Sequence, residues 1–426
     1  MEYRDTNCKH LLMHNLKRFL FLGLILFFSK VLMAQSGFVQ QIEMSSANAK
    51  VVVSAFKAIS FKFPNQLDGQ LEVNISDKLY SLMADEHFEA KDNFLMSRLF
   101  VFDDWQHELQ LIGLPKDASI TAYFIAIPSI TLPSDIEKHE GENCDPPQII
   151  SQEIWRKGLP DPEYSRIPNE VSHQIIHHSA SQNEITDYTN LVRSIYVYHT
   201  EVNGWSDIGY NYLVAPDGSV FAGRDPGDFL DQDAVLGAHF CGSNTSTMGI
   251  CMLGTFSAVP PTIQAQQALE QLLLWKSAKE NLNPLGQLPH PLNQNLGTIA
   301  GHRDGCATLC PGDSLFALLP TMRQNSLDQL HSCGIYPFVS ESEALLQQLQ
   351  LFPNPVTENE FTVKSISEIL EVALYSIDGK LLKKWEVNQK EITIKTSDLK
   401  SGLVFVLEIR LVNQLVYRRK LIIWPL

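Results

Sequence analysis

From residue 36 to 135, short runs of alternating apolar and polar residues recur, as in Val51-Val52-Val53, Leu71-Glu72-Val73-Asn74-Ile75 and Ile120 to Ile127. Turn formers at Pro64-Asn65, Asp68-Gly69 and Pro115-Lys116-Asp117 separate them. A period of two broken by turns predicts a small antiparallel β-sandwich. No group of residues in it suggests a site. Pro128, Pro133, Pro146 and Pro147 then mark a linker.

The pattern changes over residues 148–335. Gln174 to Ser179 predicts a strand, Asn183 to Asp187 ends in good N-cap residues, and Val192, Ile195 and His199 follow at helical spacing. Tyr210 to Val214 and Ser219 to Arg224 flank Pro216-Asp217-Gly218, a hairpin signal. Met248 to Leu253 predicts a further strand, and Thr262 caps a helix whose apolar stripe runs from Ile263 to Leu282. A last helix begins near Asp313 and is expected to meet its end at Pro320. Alternating strands and helices predict an α/β domain, a mixed sheet with flanking helices. Residues 346–426 return to strands (Phe361 to Val363, Glu371 to Ile377, Leu381 to Val387, Glu391 to Lys395, Leu403 to Leu411, Val416 to Trp424), which predicts a second small β-sandwich.

The first 34 residues stand apart from these domains. Lys17 and Arg18 precede the apolar run Phe19 to Phe28, and the small residue Ala34 follows, the pattern of a secretory signal peptide. The run is too short to span a bilayer, and Lys30 interrupts it. No other segment predicts a stable membrane span, so the mature chain is expected outside the cytoplasm. Six cysteines remain after the leader: Cys144, Cys241, Cys251, Cys306, Cys310 and Cys333. Export permits disulfides, but spacing does not decide which form. Cys241 and Cys251 lie on neighbouring segments, open to pairing or to staying buried thiols.

A formal charge of −15 excludes the basic face of a nucleic-acid binder. It also gives no attraction to an anionic cell envelope, so recognition there would need a specific groove.

Metal-competent residues concentrate in Ile175-Ile176-His177-His178-Ser179 and in the stretch from Gly301-His302-Arg303-Asp304 to Thr308-Leu309-Cys310-Pro311-Gly312. Alternation sends His177 and His178 to opposite faces, so only one is expected to be a ligand. Two imidazoles and a thiolate suit zinc and leave one tetrahedral position open. Chance pairs are common among 13 histidines, and a His-His pair is often only a strand end. Arg303 and Asp304 are expected to brace the ligand loop. Trp205 and Trp275 are expected in the core.

Residues 150–330 resemble the zinc amidase family that includes the peptidoglycan recognition proteins. Five landmarks stand in the family's order: Ile-Ile-His-His-Ser at 175–179, Gly-Trp-Ser-Asp-Ile-Gly-Tyr-Asn-Tyr at 204–212, Asp-Gly-Ser-Val-Phe-Ala-Gly-Arg at 217–224, Gly-Ala-His at 237–239, and Gly-His-Arg-Asp with Thr-Leu-Cys-Pro-Gly within 301–312. The resemblance implies zinc held by His177, His302 and Cys310, with Tyr210 and Thr308 as catalytic groups near the reacting oxygen. His199 and His239 align with groove positions for the glycan or stem peptide. The implied reaction is hydrolysis of the amide between N-acetylmuramic acid and L-alanine in peptidoglycan. The alternative is a non-catalytic peptidoglycan receptor, a class marked by loss of the ligand cysteine that this chain retains. The chain departs from the recognition proteins in lacking cysteines over Asn183 to Tyr188. Its longer, acidic segment Asp225 to Leu236 leaves stem-peptide preference open.

The tail has a second resemblance. Leu351-Phe352-Pro353-Asn354-Pro355-Val356, Leu374-Tyr375-Ser376-Ile377-Asp378-Gly379-Lys380 and Ser397-Asp398-Leu399-Lys400-Ser401-Gly402-Leu403-Val404-Phe405 are similar to the type IX secretion sorting domain. That implies an address read by the type IX machinery, with delivery through the periplasm to the cell surface or medium. A carbohydrate-binding or adhesive sandwich is the competing reading of the same strands.

Overall fold

The computed structural model describes residues 37–46, 49–87, 93–133, 144–335, 337, 349–354, 356, 359–377, 379–397, 399, 403–412 and 416–423. The expected leader lies outside them. Among the described residues, no helix is long and apolar enough to cross a membrane.

The N-terminal β region comprises β1 (Val39–Ser45), β2 (Lys50–Pro64), β3 (Leu71–Ile75), β4 (Lys78–Leu82), β5 (Phe94–Met96), β6 (Phe100–Ile112) and β7 (Ser119–Ile125). They join antiparallel in the order β1-β7-β2-β6-β3-β4, with β5 on the end of β2. Phe56, Phe61, Phe63 and Phe124 fill its core, the inward face of the predicted alternation.

The α/β region contains β8 (Ile149–Ile150), α1 (Gln152–Trp155), β9 (His173–His178), α2 (Tyr188–Val197), β10 (Tyr212–Val214), β11 (Val220–Ala222), β12 (Thr247–Met252), α3 (Ile263–Glu280), β13 (Gln287–His290), β14 (Asn293–Gly297), β15 (Ile299–Gly301), α4 (Asp313–Phe316) and α5 (Leu319–Ser332). Six of its strands form a mixed sheet, β15-β9-β12-β10-β11-β8, and β13 pairs with β14 alone. Strand β9 is buried at every position because apolar clusters cover both faces of the sheet. One cluster includes Leu191 and Ile195 of α2; the other includes Leu269, Leu272 and Leu273 of α3 with Leu319 and Met322 of α5. Both predicted caps form: Asp187 accepts from Asn190 N–H, and Thr262 from Ala265 N–H.

Pro320 corrects the sequence reading. It does not end a helix but opens one, sitting in the first turn of α5 after the separate short α4. A first-turn proline lacks only an N–H that would have no helical partner there.

The C-terminal region has β16 (Gln350–Phe352), β17 (Glu360–Ser376), β18 (Leu381–Lys395), β19 (Val404–Leu411) and β20 (Val416–Ile422), hydrogen-bonded in one antiparallel sheet. Strands predicted as separate pieces merge. Phe361 to Val363 and Glu371 to Ser376 lie on β17, which absorbs the irregular stretch between them in register shifts against its partners.

The N-terminal β region and the α/β region share one core. Met96, Leu99, Val101 and Ile125 pack in the same cluster as Leu191, Ile195 and Tyr198. Asp103 clamps the seam, accepting from the backbone N–H groups of Thr186 and Asp187. Disulfides join Cys144 to Cys333 and Cys241 to Cys306, while Cys251 and Cys310 are buried thiols. Cys241 and Cys251 do not pair with each other: Cys241 bonds Cys306, and Cys251 alone stays a buried thiol.

Candidate metal centre

Parallel pairing of β15 with β9 brings distant residues together. Gly301 lies opposite Ile176, so the residues that follow, His302 and His177, emerge side by side at the same end of the sheet. Cys310 arrives on the loop after His302. That loop is braced as expected: Asp304 accepts from Gly301 N–H at 2.8 Å, and Arg303 pairs with Asp313 at 2.5 Å. Gly312 closes it with φ of 91°, and a β-carbon there would meet the Phe256 backbone at 2.4 Å. Only glycine fits.

One ligand atom from each of His87, His177, His302 and Cys310 lies within 4.8 Å of all the others. Ligands of a tetrahedral zinc, at about 2.0–2.3 Å from the ion, stand roughly 3.3–3.8 Å apart. Cys310 Sγ is 3.8 Å from His177 Nδ1 and 3.3 Å from His87 Nε2. The donor set and spacing fit a zinc ion.

The protons on the three rings follow from their outer partners. Thr247 Oγ1 donates to Asn244 C=O at 2.8 Å, so it accepts from His239 Nε2–H at 3.3 Å. That leaves His239 Nδ1 to accept from His177 Nε2–H at 3.0 Å, and it turns the His177 Nδ1 lone pair toward Cys310. On His302, Nε2 sits 3.8 Å from Cys241 Sγ, a disulfide sulfur with no proton to give. The proton therefore belongs on Nε2, and Nδ1, buried without a hydrogen-bond partner, is left for a metal. On His87, the Asp85 carboxylate accepts from Nδ1–H at 3.0 Å, so Nε2 is the nitrogen that faces Cys310. Three ring nitrogens and a thiol converge.

Electrostatics agree for the sequence-predicted ligands. Burial first, then the neighbouring histidines, holds the pKa of His177 well below its ordinary value and that of His302 at about 2, so both rings are neutral. Burial raises the Cys310 thiol, opposed by the His178 N–H that donates to its sulfur at 3.3 Å. A bound cation would take that sulfur as thiolate. Burial also opposes charge on His87, but Asp85 outweighs it and the pKa stands raised.

The remaining predicted residues are placed as follows. Tyr210 is buried, with its ring centroid 5.2 Å from that of His177, and its hydroxyl engages the Cys251 thiol. Thr308 Oγ1 accepts from Cys310 N–H at 3.1 Å. His239 backs His177 while also lining the adjacent cavity. His199 is buried, accepts from Gly209 N–H at 3.2 Å and lies against Trp205, ring centroids 4.5 Å apart. His178 turns away from the cluster: Phe256 N–H donates to its Nδ1 at 3.3 Å, and its Nε2–H donates to Glu86 at 2.6 Å. The cavity beside the cluster has a volume of about 690 Å³, with Trp205, Tyr210, His239, Phe240 and Asn244 among its lining. Trp205, expected in the core, is part of that wall.

Glu86 and His87 contradict the reading that the N-terminal β region holds no site residue. Sequence offered no signal beyond three adjacent titratable residues in Asp85-Glu86-His87, which lie outside the stretch that resembles the amidases and roughly 90 positions from the nearest ligand.

Comparison with known proteins agrees with this geometry. Residues 168–313 match the N-acetylmuramoyl-L-alanine amidase family, and residues 350–424 match the secretion system C-terminal sorting domain family. A human N-acetylmuramoyl-L-alanine amidase is 33% identical over 139 residues, 32% of this chain but only 21% of that protein. Peptidoglycan recognition protein 1 of Bos taurus is 28% identical over 174 residues, covering 40% of this chain and 82% of the relative. Peptidoglycan-recognition protein SC1a/b of Drosophila simulans is 34% identical over 150 residues, covering 35% of this chain and 71% of the relative. With an amidase domain that carries a His/Cys cluster suited to a metal, and a sorting domain behind it, the chain belongs to the N-acetylmuramoyl-L-alanine amidase and peptidoglycan recognition protein family.

Proposed function

We propose that this protein is an exported, zinc-dependent N-acetylmuramoyl-L-alanine amidase acting on bacterial peptidoglycan. The observation that carries the reading is the convergence of His177 Nδ1, the unpartnered His302 Nδ1 and Cys310 Sγ at one end of the amidase sheet. Zinc bound there would supply Lewis acidity toward the amide carbonyl and toward the attacking water. The protein's own part is placement. His239 fixes the tautomer of His177 through Nε2. Tyr210 and Thr308 present hydroxyl donors toward the carbonyl oxygen as it gains charge. The cavity beside them receives the glycan and stem peptide, with His239 and Trp205 in its wall and His199 holding Trp205 in place. Incubating the zinc-loaded protein with purified sacculi should release stem peptides with free L-alanine amino termini, identified by mass spectrometry. Cleavage at any other bond would refute the assignment.

The flanking segments complete the reading. Residues 1–34 act as the signal peptide, 36–135 as an accessory β-sandwich, 148–335 as the amidase domain and 346–426 as a sandwich that addresses the chain to type IX secretion. The match of residues 350–424 to a sorting domain supports the last of these. Deleting residues 346–426 is then expected to leave a folded, metal-binding protein in the periplasm, because every proposed ligand lies upstream. Cell fractionation checks it, and normal surface display of the shortened chain would contradict the address.

A further inference from the structure

Amide hydrolysis as proposed needs two vacant places: the fourth position around the metal, and the donors that would receive the substrate's carbonyl oxygen. In this chain both are taken by one tripeptide from the N-terminal β region. His87 Nε2 stands 3.3 Å from Cys310 Sγ as the fourth member of the ligand cluster, with its ring stacked on His302. Glu86 Oε2 accepts from the Thr308 hydroxyl at 3.0 Å and from Leu309 N–H at 3.1 Å. Two donors on one anionic oxygen, beside the ligand cysteine, is the arrangement a developing oxyanion would require.

The tripeptide is built in. Asp85 orients His87 through Nδ1–H at 3.0 Å, while the Tyr198 hydroxyl donates to the other Asp85 oxygen at 2.9 Å. This is the carboxylate–histidine pairing that aims a metal ligand. Glu86 Oε1 is held by His178 at 2.6 Å, and the segment hangs from a β region that shares an apolar core with α2. A Glu86 acting as general base would need an oxygen turned to the substrate, yet both are committed to protein donors.

We propose that Asp85-Glu86-His87 is an intramolecular occupant of the active site, with His87 closing the metal's fourth position and Glu86 filling the carbonyl-oxygen subsite, so that the full chain is latent. This rests on the amidase reading. The closure is read independently of turnover by loading the full chain with cobalt(II) and titrating azide. Wild-type visible bands should not move. Those of His87→Ala should shift, and chelator competition should show the metal held at least tenfold more weakly. With sacculi and saturating zinc, the double variant Glu86→Ala/His87→Ala, which vacates both places, should release fragments at least tenfold faster than wild type, with each single variant falling between them. The azide titration of the wild type needs no substitution, which covers the case in which the variants fail to fold. Wild-type bands that respond to azide as the variant's do, or variants no faster than an active wild type, would overturn the closure and leave the amidase reading intact. Azide-silent wild type, azide-responsive His87→Ala and no fragments from any form would do the reverse.

Discussion

In the His87→Ala background, Cys310→Ala is expected to lose its stoichiometric zinc and with it all hydrolysis of sacculi above background. Cys310 brings the only thiolate to the cluster, and its sulfur is the atom against which both His177 Nδ1 and His87 Nε2 are placed. With His87 also gone, removing it leaves two neutral imidazoles around a buried cation, with no anionic ligand to offset the loss of hydration. The fold should survive, because the ligand loop is fixed independently by Asp304 on Gly301 N–H and by Arg303 on Asp313. Elemental analysis of the purified variant, beside its circular dichroism spectrum, gives the result directly. Stoichiometric zinc retained in the folded double variant would remove Cys310 from the ligand set. His302→Ala should behave alike. His178→Ala should keep the metal, since that ring points to Glu86 and Phe256.

What sequence could and could not disclose follows from the range of the interactions. The caps at Asp187 and Thr262 and the hairpin around Pro216-Asp217-Gly218 are local, and each formed where its residues predicted. His177 and His302 were legible only through the family's order of landmarks; the register of β15 on β9 supplies the physical cause of their meeting. Pro320 misled because the same fixed φ that breaks a helix interior suits a first turn. Disulfides were undecidable because Cys144 and Cys333 are 189 positions apart, joined by tertiary structure alone. Asp85, Glu86 and His87 were missed for the same reason. Their partners Tyr198, His178, Thr308 and Cys310 all lie in another part of the chain, and neighbouring residues carry no trace of them.

Tyr210→Phe tests the second chemical group, and it is expected to keep zinc and fold while losing about 10²–10³ in rate, the scale of one oxyanion-type donor. Burial is the first cause that lifts the pKa of this phenol well above its ordinary value, so the hydroxyl stays protonated at any working pH. It can therefore donate a hydrogen bond but cannot serve as a base. Backbone geometry fixes its position. Tyr210 C=O accepts from Arg224 N–H at 2.7 Å, and Gly223 passes so close that a β-carbon there would lie 2.2 Å from that carbonyl oxygen. Its hydroxyl engages Cys251, a buried thiol on β12, so losing the hydroxyl also strips that thiol of a partner. Cys251→Ala separates the two effects: if the thiol merely holds the ring, this variant should lose far less rate than Tyr210→Phe. The comparison belongs in the Glu86→Ala/His87→Ala background as well, where the closure proposed above no longer masks the chemical step. Phenylalanine at 210 with undiminished turnover in both backgrounds would make the hydroxyl a packing group and leave Thr308 as the donor to examine.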